Sequence, residues 1–206
     1  MNNIEREINK IEYCFKSIVG RIITNKMASC YSKTFNTKIL KPFQYGKDIN
    51  DQDWYSPNTD SDFRYFFEEL DLKKNHCLYW FELESNDKAN ALNILLNNYR
   101  REKGIKHNRV VPATNKNENS NVLYVGIRRG ALKPKIPTNI VGRINQHLGY
   151  YKVTSTQGLQ LVHYARGLDF EITLNVVEFE GLDNPIYLNI IEKMMADKLK
   201  PLCGRH

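Results

Sequence analysis

The chain has 206 residues, of which 41% are hydrophobic and 26% are charged, and its net charge at pH 7 is +7. It contains no run of about 18 apolar residues, so we expect no membrane-spanning helix, and its first residues lack the apolar run of a secretory signal. Its four cysteines lie far apart without C-x-x-C or zinc-site spacing. They predict free thiols in a reducing cytoplasm rather than disulfides or a metal site.

The positive charge is concentrated in one part of the chain. Residues 1–72 carry 10 Lys/Arg and 11 Asp/Glu, whereas residues 73–206 carry 20 and 12. A basic surface favours a polyanionic partner such as nucleic acid, because each neutralised phosphate releases counterions. Charge alone leaves open the alternative of a basic surface that only maintains solubility.

Apolar residues near the N-terminus repeat at spacings of four and three, at Ile4, Ile8, Ile11, Phe15, Ile18 and Ile22. This spacing predicts a helix from about residue 3 to 24 with one apolar stripe. The stripe either packs on its own domain or forms a homodimer with a second copy, and about three heptads do not distinguish the two.

The rest of the first 72 residues contains little regular pattern. Prolines, glycine, Asn and Asp interrupt residues 40–62 and predict a loop, and the aromatic-rich residues 63–72 predict a short helix. We therefore interpret residues 1–72 as an N-terminal helical extension and residues 73–206 as a second domain.

The first half of the second domain predicts a strand, a helix and a strand. Residues 78–83 are aromatic and apolar and predict a strand, and residues 87–103 predict a helix that ends at Gly104. The Asn-rich residues 114–121 predict a loop, and residues 122–126 predict a second strand.

The second half predicts two helices, a strand and a final helix. We expect helices at 139–148, with Thr138 as N-cap, and at 157–166, with Ser155 or Thr156 as N-cap. Residues 171–179 alternate and predict a third strand. The last helix is predicted to begin at Pro185 and to end before Pro201.

Two polar residues on one predicted helix suggest phosphate chemistry. Arg143 and His147 are four residues apart and therefore share one helical face. An arginine offers a fixed positive fork to phosphate oxygens, and a histidine moves a proton near neutral pH. An exposed pair of ordinary polar residues is the alternative.

A carboxylate in the last helix suggests a metal site. The helical neighbours of Glu192 are apolar or small: Leu188, Met195, Ala196 and Leu199. A partly buried carboxylate is retained when a metal ion or a buried arginine pairs with it. Tyr79 and Tyr124 lie in two predicted strands, where a tyrosine alone is an ordinary residue.

The order of these residues carries more information than any one of them. Cys77-Leu78-Tyr79, then Tyr124-Val125-Gly126, then Arg143-x-x-x-His147, then Glu192 before Pro201 resembles the GIY-YIG nuclease superfamily over about residues 75–206. The Arg-x-x-x-His spacing is closest to the restriction-endonuclease branch.

This resemblance implies an α+β fold with a small three-stranded antiparallel sheet flanked by helices, and it implies roles for the matching residues. Tyr79 lies near the attacking water and is a candidate general base, and His147 helps to deprotonate the tyrosine or the water. Tyr124 and Arg143 contact the scissile phosphate. Glu192 is the protein ligand of a divalent cation, Mg²⁺ or alternatively Mn²⁺. A tyrosinate base predicts activity that rises toward mildly alkaline pH.

The sequence departs from the family pattern in three places. The first motif reads Cys-Leu-Tyr instead of Gly-Ile-Tyr. The two tyrosines are 45 residues apart, which implies an inserted helix and loop at about residues 84–121. Gly204 stands where many family members carry an asparagine.

The function that these features predict is metal-dependent endonuclease cleavage of DNA. Its setting is restriction or anti-phage defence or, equally, the cleavage of structured DNA during repair or transposition. The candidate DNA-binding residues are Arg128, Arg129, Lys133, Lys135, Arg100 and Arg101. The alternative is a module on the same scaffold that binds nucleic acid without cutting it.

Overall fold

The computed structural model describes residues 3–25, 27, 29–42, 61–104, 111–130, 139–150 and 157–204. Within them the helices are α1 (Asn3–Ile23), α2 (Arg64–Asp71), α3 (Asn86–Tyr99), α4 (Ile140–Leu148), α5 (Leu161–Tyr164) and α6 (Pro185–Leu199). The strands are β1 (Cys30–Asn36), β2 (His76–Leu83), β3 (Val122–Arg128) and β4 (Glu171–Phe179). A 3₁₀ turn at Thr37–Ile39 follows β1, and a π-helical turn at Arg100–Gly104 follows α3.

The strands form one antiparallel sheet in the order β1-β4-β2-β3. The α+β class is therefore confirmed, but the predicted three-stranded sheet is wrong by one strand. β1 lies in the region predicted as a helical extension and pairs with β4 along its whole length.

β1 escaped the sequence prediction because it is a polar edge strand. Only Phe35 of its seven residues is buried. Its outward side chains instead form cross-strand hydrogen bonds with β4. Ser32 Oγ donates to Asn175 Oδ1 at 3.0 Å, and the hydroxyls of Thr34 and Thr173 are 2.9 Å apart. Such pairs stabilise a strand without apolar alternation.

Two predicted helices differ from the observed ones at the ends that lie near the site. α4 begins after Asn139, whose Oδ1 accepts a hydrogen bond from Gly142 N at 2.9 Å, so Asn139 is the N-cap in place of Thr138. α5 is one short turn, and residues 157–160 before it are not helical. Thr138, Ser155 and Thr156 lie outside the described residues, as do residues 43–60 of the predicted loop.

The sheet separates two apolar cores. One face carries the odd-numbered side chains of β2 (Cys77, Tyr79, Phe81 and Leu83) and packs against α2, α3, α4 and α5. The other face carries Leu78 and Trp80 and packs against α1 and α6. This alternation follows from the two-residue period of a strand. The first face also carries the polar residues of the candidate site.

The Asn-rich loop at the end of the insertion has a structural role. Ser120 Oγ donates to Leu199 O at 2.8 Å, and the side-chain amides of Asn115 and Asn117 donate to Pro201 O at 3.0 and 2.7 Å. The first bond satisfies a carbonyl group that the end of α6 leaves without a helical partner, and the other two hold the proline that follows the helix. The loop therefore fixes the helix that carries Glu192.

The helix α1 is confirmed, and its two buried residues both lie in its C-terminal half. Val19 and Ile22 pack on the face that α6 covers, whereas Ile4, Ile8 and Ile11 are 70%, 57% and 57% exposed. None of the helices in the described ranges is long and apolar enough to cross a membrane.

Candidate active site

Four of the five predicted catalytic residues meet in one hydrogen-bonded cluster. Tyr79 Oη lies 3.0 Å from His147 Nε2 and accepts a hydrogen bond from Arg143 Nε at 2.8 Å. Arg143 Nη2 donates to Tyr124 Oη at 3.3 Å. Tyr79 and His147 are fully buried, and Tyr124 is 8% exposed. The polar cluster is therefore buried in the core on one face of the sheet, and Tyr124 is the phenol of the cluster that lies nearest to solvent.

Sheet register brings the two tyrosines together. Tyr79 pairs with Gly126, Phe81 pairs with Tyr124, and the two tyrosine rings stack at 6.1 Å between centroids. The register then shifts, which leaves Leu123 as an extra residue beside Tyr124. A bulge of this kind redirects the neighbouring side chain.

Gly126 makes room for the pair. A Cβ atom at this position would lie 2.6 Å from Tyr79 Oη and 2.7 Å from the ring of Tyr124. Any side chain here would collide with both tyrosines, so the glycine is required by packing. The sequence motif contains this glycine, but only the contact explains it.

Arg143 uses most of its donors inside the protein. Besides its bonds to the tyrosines, its Nη1 atom donates to Gln146 Oε1 at 2.9 Å and to the backbone oxygen of Gln157 at 2.6 Å. Four of its five N–H groups therefore have partners. The guanidinium holds the two phenols and the segment before α5 in a fixed arrangement.

His147 is held from both sides of its ring. Its Nδ1 atom accepts a hydrogen bond from the backbone N–H of Leu159 at 3.3 Å, while Nε2 faces Tyr79. Burial and the charge of Arg143 lower the pKa of His147 well below its ordinary value, so the ring is neutral.

For each of the two phenols, burial raises the pKa and the neighbouring Arg143 lowers it. Burial raises the pKa of Tyr79, and the charge and hydrogen bond of Arg143 and a hydrogen bond with Tyr124 oppose this rise. Burial and the charge of Tyr79 raise the pKa of Tyr124, again against Arg143. The hydrogen bond with Tyr124 favours the ionised form of Tyr79 in addition to Arg143, whereas the charge of Glu192 raises its pKa further.

Glu192, on α6, interacts with the cluster electrostatically. The side chain is half-buried, and its charge interacts with those of Arg143 and Tyr79. Burial raises the pKa of Glu192 to about 7, against the charges of Arg143 and Lys193. Within the described ranges its carboxylate has no hydrogen bond or ion pair.

This carboxylate suits a hard divalent cation. Among the described residues no group of three or more His, Cys, Asp or Glu could hold a metal ion. Mg²⁺, however, is commonly bound through one or two carboxylates, with waters and substrate phosphates completing its shell. A half-buried carboxylate whose oxygens accept nothing from the described part of the chain fits that mode.

The predicted DNA-binding residues separate into groups. Arg128, half-buried at the end of β3, lies close enough to the site for burial and then the charge of Arg143 to lower its pKa. Arg129 and Arg101 are exposed. Arg100 turns inward, where Nη1 donates to Asn97 Oδ1 at 3.2 Å, and its buried Nε and Nη2 atoms have no hydrogen-bond partner among the described residues. Lys133 and Lys135 lie outside the described residues.

Sequence reasoning missed the residues that support the cluster. Gln146 contacts Arg143 through its side chain, and its position three residues along the same helix was the only available signal. Gln157 and Leu159 act through backbone atoms, which leave no trace in residue type.

Together these groups provide a buried phenol with two nitrogen neighbours, a guanidinium and a half-buried carboxylate that could hold a cation. Such a set can orient a water molecule and neutralise an oxyanion. No family model, no curated protein and no solved structure matches the chain.

Proposed function

We propose that this chain is a metal-dependent endonuclease of the GIY-YIG type that hydrolyses phosphodiester bonds in DNA. The observation that carries the proposal is the convergence of Tyr79, Tyr124, Arg143 and His147 on one hydrogen-bonded cluster. These residues come from two strands and one helix, and they follow one another along the sequence in the order that the family resemblance requires. The charge of Glu192 acts on the same cluster from a second helix, α6.

The proposed reaction is in-line attack of water on the phosphorus atom. Tyr79, as a phenolate, accepts a proton from the attacking water, while Arg143 and Tyr124 stabilise the negative charge that develops on the phosphate oxygens. The bond from phosphorus to the leaving oxygen breaks, and that oxygen takes a proton from solvent. Glu192 would hold Mg²⁺ or Mn²⁺, and the bound ion would supply charge stabilisation for the phosphate and the leaving oxygen.

The basic residues around the cluster are the proposed contacts to the DNA backbone. Arg128 is the arginine beside Arg143 whose remaining surface is accessible, and we assign it to the phosphate next to the scissile bond. The neighbouring Arg129 and the exposed Arg101 extend this basic surface. Phosphate contacts of this kind position the duplex without reading its sequence.

A module that binds nucleic acid without cutting it is the second candidate. The observation that favours it is the burial of the reacting groups: Tyr79 is fully buried, and Arg143 has four of its five N–H groups occupied. Cleavage then requires the substrate to approach past Tyr124, which is 8% exposed.

Cleavage of supercoiled plasmid in the presence of Mg²⁺ distinguishes the two candidates. We expect nicking or linearisation by wild type, none in EDTA, and a rate about 10- to 100-fold lower for Glu192→Gln at limiting Mg²⁺. The rate should rise between pH 6 and 8, because Glu192, whose pKa is about 7, binds a cation only when deprotonated. Tyr79 ionisation acts in the same direction.

The matched control is Glu180→Gln, which removes an exposed carboxylate at the end of β4 and should cleave like wild type. Plasmid binding without cleavage at any pH or metal concentration would leave the binding module as the function. A cleavage rate that is flat from pH 6 to 9, with chemistry limiting, would contradict a tyrosinate base.

The biological setting that we propose is restriction or anti-phage defence in the cytoplasm, and it follows from the Arg-x-x-x-His spacing. Cys14, Cys30, Cys77 and Cys203 are free thiols, as expected in a reducing compartment.

We further propose that two copies associate through α1, because one active site cuts one strand. The exposed part of the stripe is Ile4, Ile8 and Ile11. The neighbouring Glu7 and Glu12 pair with Lys10 and Lys16 along the helix, so their negative charges are balanced and do not oppose self-association.

Light scattering coupled to gel filtration should give a dimer for wild type and a monomer for Ile8→Glu. Tyr13→Glu, exposed off the stripe, should remain dimeric. A monomeric wild type at all concentrations would contradict this interface.

A further inference from the structure

We propose that His147 is a hydrogen-bond donor to Tyr79 and not its base, and that the backbone of residues 157–160 imposes this role. The catalytic consequence rests on the proposed nuclease function, whereas the state of the imidazole ring does not. The inference reverses the proton-accepting role that the family resemblance implies for this residue.

The two hydrogen bonds of the imidazole ring fix the position of its proton. Leu159 N–H is a donor and cannot accept, so Nδ1, 3.3 Å away, must present its lone pair. In a neutral imidazole the single ring proton then resides on Nε2. That proton points to Tyr79 Oη, 3.0 Å away. An imidazolium would place a second proton against the Leu159 N–H.

The segment that supplies this N–H is held tightly against α4. A Cβ atom on Gly158 would overlap the backbone oxygen of Gln146, so the backbone approaches α4 closely here. Gln160 adopts a left-handed conformation with φ of +60°, and its side-chain amide donates to the same Gln146 oxygen at 3.3 Å. A non-glycine residue held in this conformation carries local strain that the surroundings must offset.

The same segment holds Arg143 as well as His147. The backbone oxygen of Gln157 accepts from Arg143 Nη1 at 2.6 Å, two residues before the N–H that faces His147. One short stretch of backbone therefore orients both side chains that point at Tyr79. We call residues 157–160 the orienting segment.

The Tyr79 oxygen consequently receives two hydrogen bonds, from Arg143 Nε and His147 Nε2. Both stabilise a phenolate more than a phenol. The remaining hydrogen bond of Tyr79 is with Tyr124, so its phenolic proton leaves in that direction, toward the partly exposed phenol. The protons balance: Tyr79 passes its proton to Tyr124 Oη, Tyr124 releases its own hydroxyl proton to solvent, and His147 keeps its ring proton throughout.

Nitrogen NMR of the five histidines tests the ring state directly. Long-range ¹H–¹⁵N spectra of the full chain, with His147 assigned from its loss in a His147→Gln variant, report which ring nitrogen carries the proton. We expect a protonated Nε2 and an unprotonated Nδ1 at every pH from 6 to 9. A protonated Nδ1, or an imidazolium in this range, would overturn the proposal. This result is independent of whether the protein cleaves DNA.

Two substitutions test the catalytic role. His147→Gln keeps an N–H group that can face Tyr79, and we expect cleavage within about tenfold of wild type. His147→Phe keeps a ring but no donor, and we expect a loss of about 10- to 100-fold beyond that of the glutamine variant. Equal losses in the two variants, both folded by circular dichroism, would overturn the donor role. Absence of cleavage by wild type would instead refute the nuclease proposal and leave the NMR result to decide the ring state.

The orienting segment is tested by Gly158→Ala. Its Cβ must displace the segment from Gln146, which separates Leu159 N–H from Nδ1 and frees the ring. We expect the His147 ring of this variant to show mixed protonation of both nitrogens in the same spectra. An unchanged Nε2-protonated ring would show that residues 157–160 do not set the tautomer.

Discussion

Replacing Arg143 by methionine is expected to reduce DNA cleavage by more than about 1,000-fold and to lower the free energy of unfolding by about 2–4 kcal/mol. The change deprives Tyr79, Tyr124, Gln146 and Gln157 of a donor at once. It also removes the positive charge that favours ionisation of Tyr79. Plasmid nicking and chemical denaturation measure the two effects.

Arg143→Lys separates charge from geometry. A lysine retains the positive charge but offers one ammonium group in place of a planar fork that reaches four acceptors. We expect a loss of at least about 100-fold in cleavage rate with a smaller loss of stability. Arg166→Met, at an exposed position, is the matched control and should behave as wild type. Full activity of either Arg143 variant would remove this residue from the proposed mechanism.

Elements with a strong local pattern could be predicted from the sequence. β4 begins and ends at the predicted residues because its side chains alternate between two cores, and α6 begins at Pro185 because proline suits the first helical turn. β1 could not be predicted, since its stability comes from hydrogen bonds to β4, which is more than 130 residues away in sequence. Residues 157–160 could not be predicted as non-helical for a similar reason. Their backbone groups bond to Arg143 and His147 instead of to each other.

The same distinction between local pattern and distant contacts applies to the residues of the candidate site. Arg143 and His147 were expected to point the same way because the helical repeat fixes positions four residues apart, and both reach Tyr79. The direction of Arg100 could not be foreseen. It was predicted on a DNA-binding surface, yet two of its nitrogen atoms are buried, because a π-helical turn follows α3 at this residue and rotates the side chains that follow. Side-chain direction is predictable within a regular helix and is lost where the helix changes its repeat.

Replacing Gly126 by alanine is expected to reduce cleavage about 100- to 1,000-fold and to destabilise the fold by about 1–3 kcal/mol. The added Cβ atom would lie 2.6 Å from Tyr79 Oη and 2.8 Å from its Cζ atom. A flexible side chain could move away at little cost, but Tyr79 is fully buried and bonded to Arg143 and His147. Any displacement of the ring must therefore break at least one bond of the cluster.

The same substitution at an open glycine should have the opposite effect on stability. Gly20 lies on the exposed side of α1, and no atom of the described residues lies within 4 Å of a Cβ built there. Gly20→Ala should therefore stabilise the chain by about 0.5–1 kcal/mol and leave cleavage unchanged. Denaturation and plasmid nicking of both variants measure the contrast. A Gly126→Ala variant that retains wild-type cleavage would mean that Tyr79 need not stay in contact with Arg143 and His147 during the reaction. In that case the buried cluster would be a resting arrangement, and the tyrosine that acts on water would be Tyr124, whose phenol is closer to solvent.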